Sequence, residues 1–376
     1  MTLKNLTRFL CSIILASAPL IAAATEANIN SEMQKAAKSL TELMPFIYSD
    51  KAFRDAGNRP HIEQNINNLI TIIEGAPKLM DDHAVTMIIS QQNLLATLKQ
   101  ANTLFETGAY ATSQYLLSGV PVVCSSCHIQ DGRQSALQLS LDRSTFANDF
   151  SFAEFNYYLR NYEQAQQSYL KHLDELSIQR SRIQSRKTLE RLLDIALITN
   201  QNSQNAEAIL ERAQTLPNLD NESKAVSQQW LAGMKNLAFD TPALSELEKS
   251  IYAAFDEQFT LEHEFIFKEE NRPKALLWRK QLHQNLRSKH SDKESALALY
   301  LLSILERALG DQIDLSLAHL YLKECIHLKA PPYSGKCLNE YENHLYFYYG
   351  GSSGEHLPAE VQEELQSLKQ QFHSDQ

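Results

Sequence analysis

Apolar residues recur every three or four positions through most of the chain, and this spacing limits the fold more than any other feature. Within residues 29–48 the apolar positions that share one helical face are Met33, Ala36, Ala37, Leu40, Met44 and Ile47. Glycine and proline, which interrupt helices, number only 11 each among 376 residues. A chain with this pattern and composition is predicted to be all-α.

Three more helical segments follow before residue 131. They are predicted over residues 61–74, over residues 82–106 and from about Tyr110 onward. His61 and His83 lie at helix starts and are expected at the surface. Four amphipathic helices joined by short links predict a four-helix bundle over residues 25–145.

Glycine, proline and polar residues suggest where these four helices are interrupted. The stretch 49–60, "SDKAFRDAGNRP", is expected to be a polar break, and Pro45 is expected to bend or end the helix before it. Gly108 is expected to end the third helix. Gly119 and Pro121 are expected to interrupt the fourth, with a new helical turn starting at the proline.

From about residue 146 the pattern changes to pairs of helices. Ala153 and Ala165 fall where two helices would cross closely, with Tyr162 and Tyr169 beside them, and this pair resembles a tetratricopeptide unit. Further pairs are predicted at 189–217, 223–256, 272–308 and 313–349, before a final polar helix. Residues 146–376 are therefore predicted to form an irregular α-solenoid, with a compact helical domain lacking true repeats as the alternative.

The first residues indicate export from the cytoplasm. Lys4 and Arg8 precede an apolar run over residues 9–21, and small residues follow it. This is the pattern of a signal peptide over residues 1–24, with cleavage expected after Ala24, and it predicts a periplasmic protein. The run is too short for a membrane span, and no later segment is long and apolar enough for one. The formal charge of −10 argues against nucleic-acid binding.

The five cysteines divide into three groups. Cys11 leaves with the signal peptide. Cys124 and Cys127 stand three positions apart, and His128 follows at once, in "CSSCH". Cys325 and Cys337 remain, and in an oxidising compartment they are expected to form a disulfide; two free thiols are the alternative.

The CxxCH spacing suits covalent attachment of haem. Cys124 and Cys127 can each bond one vinyl group, and His128 then becomes the proximal ligand of the iron. The prediction is one haem c per chain. A zinc site would need two more ligands, which no nearby Cys or His pair supplies. A thioredoxin-like redox site would need a βαβ context, which the sequence does not show.

Three stretches resemble the cytochrome c′ and cytochrome c-556 family: "EMQKAAKSLTELM", "NINNLITIIEGAPKLM" and "SQYLLSGVPVVCSSCH". The resemblance covers residues 29–133 and implies a four-helix bundle with the haem near the end of the fourth helix. It implies Met33 as the candidate distal ligand, with an ordinary core methionine as the alternative. It also implies Arg133 as a partner for a haem propionate, with a solvated surface arginine as the alternative. The family usually has its basic residue one position earlier than Arg133. Many members are homodimers, and the resemblance extends that expectation to this chain.

No catalytic pattern is evident in the sequence: HExxH, GxSxG and a Gly-rich phosphate loop are all missing. We therefore expect a protein that is not an enzyme and that transfers electrons to redox partner proteins in the periplasm, docked through the helical repeats. The alternatives are a haem-based sensor of NO or CO, a repeat scaffold in which the haem is structural, and a haem-free scaffold in which Cys124 and Cys127 form a disulfide.

Overall fold

The structure is a computed structural model that describes residues 31–75, 85–130, 141–146, 148–175, 182–235, 237–240, 242–255, 268–287, 291–309, 315–350 and 356–373. Every regular element in these ranges is helical, so the predicted all-α class is confirmed. The predicted signal peptide lies outside the described residues. Among the described helices, none is both long enough and apolar enough to cross a membrane.

The α-helices are, in chain order, α1 (31–47), α2 (Asp50–Arg54), α3 (Arg59–Gly75), α4 (Val85–Glu106), α5 (Tyr110–Gln130), α6 (Asp149–Tyr158), α7 (Tyr162–Asp174), α8 (Arg182–Asp194), α9 (Ser203–Thr215), α10 (Asn221–Gly233), α11 (Leu244–Ala253), α12 (Arg272–Asn285), α13 (Asp292–Leu309), α14 (Leu315–His327), α15 (Tyr333–Tyr349) and α16 (Ala359–His373). A π-helical turn, Ile195–Thr199, continues α8, and short 3₁₀ turns lie at Arg143–Thr145 and Glu269–Asn271.

Left-handed residues close several of the turns between helices. Gly108, with φ of 82°, follows α4 as predicted. Arg160, Gln201 and Lys329 have φ of 63°, 50° and 49°, and they lie between α6 and α7, α8 and α9, and α14 and α15. The turn after α6 shows the reason: the N–H of Asn161 donates to the carbonyl of Asn156, which caps the helix end.

The described chain folds into two compact units, of which the first comprises residues 31–75, 94–122 and 141–146. Its core is formed by apolar side chains that are 1% exposed or less, including Leu43, Met44, Phe53, Ile62, Ile66, Leu98, Phe105, Leu117 and Val120. They come from α1 through α5, so each helix predicted for this region contributes its apolar face.

Three expectations for this unit need correction. Residues 49–60 are not only a polar break, because they contain α2, whose Phe53 is 1% exposed and packs edge-on against Phe105 at 5.1 Å between ring centroids. A single buried ring holds this helix in place. With five residues, the helix is too short for its sequence to show a helical repeat.

Gly119 and Pro121 do not interrupt α5, which runs unbroken through both of them. A proline inside a helix removes one backbone N–H donor, here the partner of the Leu117 carbonyl. Pro121 is buried, so apolar packing offsets the lost hydrogen bond. Pro45 likewise does not end α1, which continues to residue 47.

The second unit comprises residues 85–93, 123–130 and 148–373 of the described chain. Four of its five predicted helix pairs pack on each other: α6 with α7, α8 with α9, α12 with α13, and α14 with α15. Neighbouring helices from different predicted pairs also pack, as in α9 with α10 and α13 with α14. Helices two apart also touch, as in α6 with α8, α8 with α10, and α13 with α15. Ala153, Ala165, Ala196, Ala206 and Ala213 are all fully buried at these crossings. Whether the region is a solenoid, and whether a domain boundary lies at residue 145, stay predictions.

A buried charge cluster joins α6, α7 and α8. Glu154, whose side chain is 3% exposed, accepts hydrogen bonds from the hydroxyls of Tyr158 at 2.8 Å and of Tyr169, and from Arg191 Nε at 3.3 Å. Burial raises the pKa of Glu154, but Arg191, Lys187 and the two phenols outweigh burial and hold its pKa below the usual value. The carboxylate is therefore ionised and fully paired, which makes the cluster a structural one.

Cys325 and Cys337 lie in α14 and α15, and their sulfurs are 2.00 Å apart, the disulfide expected from the cysteine count. Both residues are fully buried. The hydroxyl of Ser334 donates to the Cys325 carbonyl at 2.5 Å and accepts from the N–H of Ala330 at 2.9 Å. The start of α15 is thus fastened to α14 by the disulfide and by one hydrogen bond, and to the connecting loop at Ala330 by another.

Candidate haem attachment site

Helix α5 carries the CxxCH motif in its last two turns. Cys124, Cys127 and His128 lie within one unbroken helix, Tyr110–Gln130. Residues three and four apart in a helix share one face, so the three positions are neighbours along α5. The side chains of residues 122–130 lie outside the described part of the structure, whereas their backbone is helical.

The motif repeats the pattern of the buried face that precedes it. Leu117 and Val120 are 0% and 1% exposed, and Pro121 is also buried. Seven positions make nearly two helical turns, and Cys124, Cys127 and His128 follow these three residues at that interval. By helical register, Cys124, Cys127 and His128 therefore hold positions that continue the line of Leu117, Val120 and Pro121 along α5.

The first half of α5 is held by polar as well as apolar contacts. Ser113 Oγ donates to the Ala101 carbonyl in α4 at 2.8 Å, and Gln114 Nε2 donates to the Ile47 carbonyl at the end of α1 at 2.7 Å. The Tyr110 and Phe105 rings meet edge-on at 5.2 Å. These contacts fix the rotation of α5 about its axis, and with it the face on which the motif lies.

The residue types on this face fit a covalently bound haem. Two thiols three positions apart supply the two thioethers, and the adjacent imidazole supplies an iron ligand. A structural zinc ion would need two further ligands. Within the described ranges, no group of three or more His, Cys, Asp or Glu side chains is placed to hold a metal ion.

The two methionines of α1 differ in burial. Met44 is 0% exposed and belongs to the core, whereas Met33, on the same face near the described start of α1, is half-buried. Met33 thus keeps open surface that a ligand could cover. Its pairing with the iron involves side chains that are not described and stays a prediction.

The remaining candidates are partly described. His61 is exposed, as expected for a surface residue. Arg133 and His83 lie outside the described residues, so the propionate contact of Arg133 and the surface position of His83 stay predictions.

Sequence reasoning missed one group of chemically distinctive side chains. Tyr252, Tyr300 and Tyr333 surround the amino group of Lys336, although they come from three different helices. Residues this far apart along the chain form no local pattern, so only the packing of the helices reveals them.

The chain matches no family model, no curated protein and no solved structure. The resemblance to the cytochrome c′ and c-556 family therefore remains a hypothesis that rests on the quoted stretches.

Proposed function

We propose that this protein is an exported c-type cytochrome with one covalent haem, which transfers electrons to redox partner proteins in the periplasm. The observation that carries the proposal is the CxxCH motif on an unbroken helix, at positions that continue the buried face of α5. The predicted signal peptide supports it, because cytochrome c maturation takes place after export.

Each residue of the motif has a defined part in this proposal. Cys124 and Cys127 would hold the haem through two thioethers, each formed by adding a thiol S–H across one vinyl double bond, so no oxidant would be consumed. His128 would ligate the iron, and the contacts of Ser113 and Gln114 hold the first half of the helix that carries these positions. A haem bound there supplies one-electron chemistry.

The helical pairs of residues 148–373 are proposed as the docking part of the molecule. Their contacts between neighbouring helices and between helices two apart are those expected of stacked hairpins. Stacked hairpins present an extended surface, which suits recognition of a protein partner.

A pyridine haemochrome spectrum of the purified protein, expressed with its own first residues in a host that matures c-type cytochromes, tests the proposal. We expect one thioether-linked haem per chain, and none in a Cys124→Ser/Cys127→Ser variant. A Cys325→Ser/Cys337→Ser variant is the matched control, because it removes two cysteines but leaves the motif, and it should keep the spectrum. A wild-type protein without haem contradicts the proposal.

The distal ligand is tested by comparing the two methionines of α1. If Met33 is the sixth ligand, the reduced wild-type protein binds CO poorly and Met33→Ala binds it readily. Met44→Ala, which removes a core side chain instead, should leave CO binding unchanged. Ready CO binding by the wild type would instead favour a gas sensor, since the iron then has an open position.

A further inference from the structure

The amino group of Lys336 faces three tyrosine rings at once. Its Nζ lies over the rings of Tyr252, Tyr300 and Tyr333, at 5.8, 5.8 and 5.3 Å from their centroids. The three rings belong to α11, α13 and α15, and we call them the tyrosine cage. A cation over an aromatic face is attracted by the negative charge of that face, and several rings around one point form the usual receptor for an ammonium group.

The walls of the cage are fixed by the packing of the helices. Tyr300 is only 6% exposed. Tyr333 begins α15, whose first turn is fastened to α14 by the Cys325–Cys337 disulfide and by the Ser334 hydroxyl. Tyr300 and Tyr333 therefore keep their places when Lys336 moves, because none of these contacts involves the lysine side chain.

The cage is open to solvent on one side. Tyr252 is 37% exposed, and Lys336 is exposed as well. A lysine ammonium at an exposed site gains only about 0.5–1 kcal/mol from such rings. Lys336 can therefore swing into water and leave the cage to another cation.

The distances between Lys336 Nζ and the three ring centroids suit a cation larger than an ammonium. Carbon and nitrogen atoms in van der Waals contact are about 3.5–4.0 Å apart, so a bare ammonium can sit closer to a ring than Lys336 does. A methyl group between nitrogen and ring adds a bond of about 1.5 Å. A trimethylammonium nitrogen touching these rings through its methyl groups lies about 5 Å from them. The observed 5.3–5.8 Å fits that larger group.

The charges around the cage also favour a cation. Tyr333 donates its hydroxyl hydrogen to Glu248, with both carboxylate oxygens 3.2 Å away. Glu340, a carboxylate near Tyr300, is paired with Arg307 at 3.3 Å. When Lys336 leaves, Glu248 remains as a negative charge beside the rings, and a bound cation would balance it.

We propose that the tyrosine cage is a binding site for a trimethylammonium group, with Lys336 as the occupant that the ligand displaces. The group can belong to a small molecule such as choline or to the headgroup of a choline lipid. This inference rests on described residues alone and does not depend on the haem.

Calorimetric titration of the full chain with tetramethylammonium chloride tests the site. We expect saturable binding to the wild type and about threefold tighter binding to Lys336→Ala, which lacks the competing cation. Tyr252→Ala should bind roughly tenfold more weakly, whereas Tyr252→Phe should restore binding because it keeps the ring. Lys249→Ala is the matched control: it removes an exposed lysine of α11 and should bind as the wild type does.

Two results of the titration with tetramethylammonium overturn the proposal. One is no binding to the wild type, whether or not Lys336→Ala binds, because the native lysine then keeps the cage closed. The other is equal binding by the wild type and Tyr252→Ala, because the ligand then sits elsewhere. Unfolding temperatures of all variants, measured alongside, show that Tyr252→Ala is folded; its ring is partly exposed, so the loss of packing is small.

The source of the group is decided by two further titrations. Choline chloride tests the free ligand, and phosphatidylcholine vesicles, compared with phosphatidylglycerol vesicles, test the headgroup. Binding to choline alone assigns a small-molecule site, and binding to the phosphatidylcholine vesicles as well assigns a headgroup site. Binding to neither contradicts the proposal.

Discussion

At the scale of single residues, Gly233 is required by a close approach of two backbones. A Cβ atom at this position would lie 1.7 Å from the carbonyl oxygen and 2.8 Å from the carbonyl carbon of Glu270. The neighbouring contacts leave little room to adjust, since Glu269 accepts from Trp230 Nε1 at 2.8 Å and from Arg186 Nη2 at 2.5 Å.

Gly233→Ala should therefore lower the free energy of unfolding by about 2–4 kcal/mol, because the 3₁₀ turn after residue 268 must move away from α10. Urea unfolding measures the change. Gly119→Ala is the control: a Cβ atom there meets nothing within 4 Å, and alanine favours a helix, so stability should stay equal or rise by about 0.5–1 kcal/mol. Equal stability of wild type and Gly233→Ala would contradict the close approach.

His319 should make stability depend on pH. Burial, together with Lys323 and Arg307, lowers its pKa to about 4, and Glu364 opposes this shift. The rings of Tyr341 and His344 pack against it at 5.4 and 5.3 Å. In the unfolded chain a histidine has a pKa near 6.5. Between about pH 4 and pH 6.5, His319 is therefore protonated in the unfolded chain but neutral in the folded one.

The contribution of His319 to the free energy of unfolding is thus complete above about pH 6.5, and it falls by about 3 kcal/mol as the pH falls to about 4. His319→Phe keeps the ring but cannot titrate, so its free energy of unfolding should fall less over this range. Urea unfolding at several pH values from 7 to 4 measures both slopes. Equal slopes would show that His319 does not carry this dependence.

At the scale of helices and helix pairs, the Glu154 cluster should be a main source of stability for α6, α7 and α8. Glu154→Gln removes the nearer carboxylate, at 3.3 Å, from Arg191, which is 12% exposed, and leaves it the more distant Asp194 at 3.9 Å. We expect a loss of about 3–5 kcal/mol in the free energy of unfolding. Asp174→Asn is the control, because the Asp174–Arg212 pair links α7 to α9 with side chains that are 46% and 43% exposed, and its loss should cost less than about 1 kcal/mol. Similar losses in the two variants would contradict a special role of burial.

The disulfide between α14 and α15 closes a short loop, with a sequence separation of 12. A disulfide that closes a loop of this length raises the free energy of the unfolded chain by about 3 kcal/mol. Cys325→Ala/Cys337→Ala should therefore unfold at a lower temperature. Because both cysteines are fully buried, a reductant should act on the folded protein only after local opening. Thermal unfolding with and without reductant measures both effects. Rapid reduction without loss of stability would contradict them.

The helices were predictable because their apolar faces repeat over many turns, as in Ala37, Leu40, Met44 and Ile47 of α1. The features that the sequence did not predict depend on single residues and their contacts. Phe53 anchors a helix of five residues, and buried Pro121 stays inside α5. Arg160, Gln201 and Lys329 turn the chain without the glycine that usually marks such a turn.

At the scale of the whole molecule, the sequence suggests the chemistry and the structure describes the framework around it. The motif was visible because Cys124, Cys127 and His128 are adjacent in sequence. The tyrosine cage was not visible, because its residues meet only when α11, α13 and α15 pack. In the proposed function the motif binds the haem, whereas the tyrosine cage lies in the part proposed for docking.

The intact mass of the exported protein, measured under denaturing conditions, tests the central claim most directly. Denaturation removes any group that is held by folding or ligation alone and leaves only what is bonded covalently. We predict the mass of the chain without residues 1–24 plus one haem, and loss of that added mass in Cys124→Ser/Cys127→Ser. A wild-type mass without haem would contradict the account.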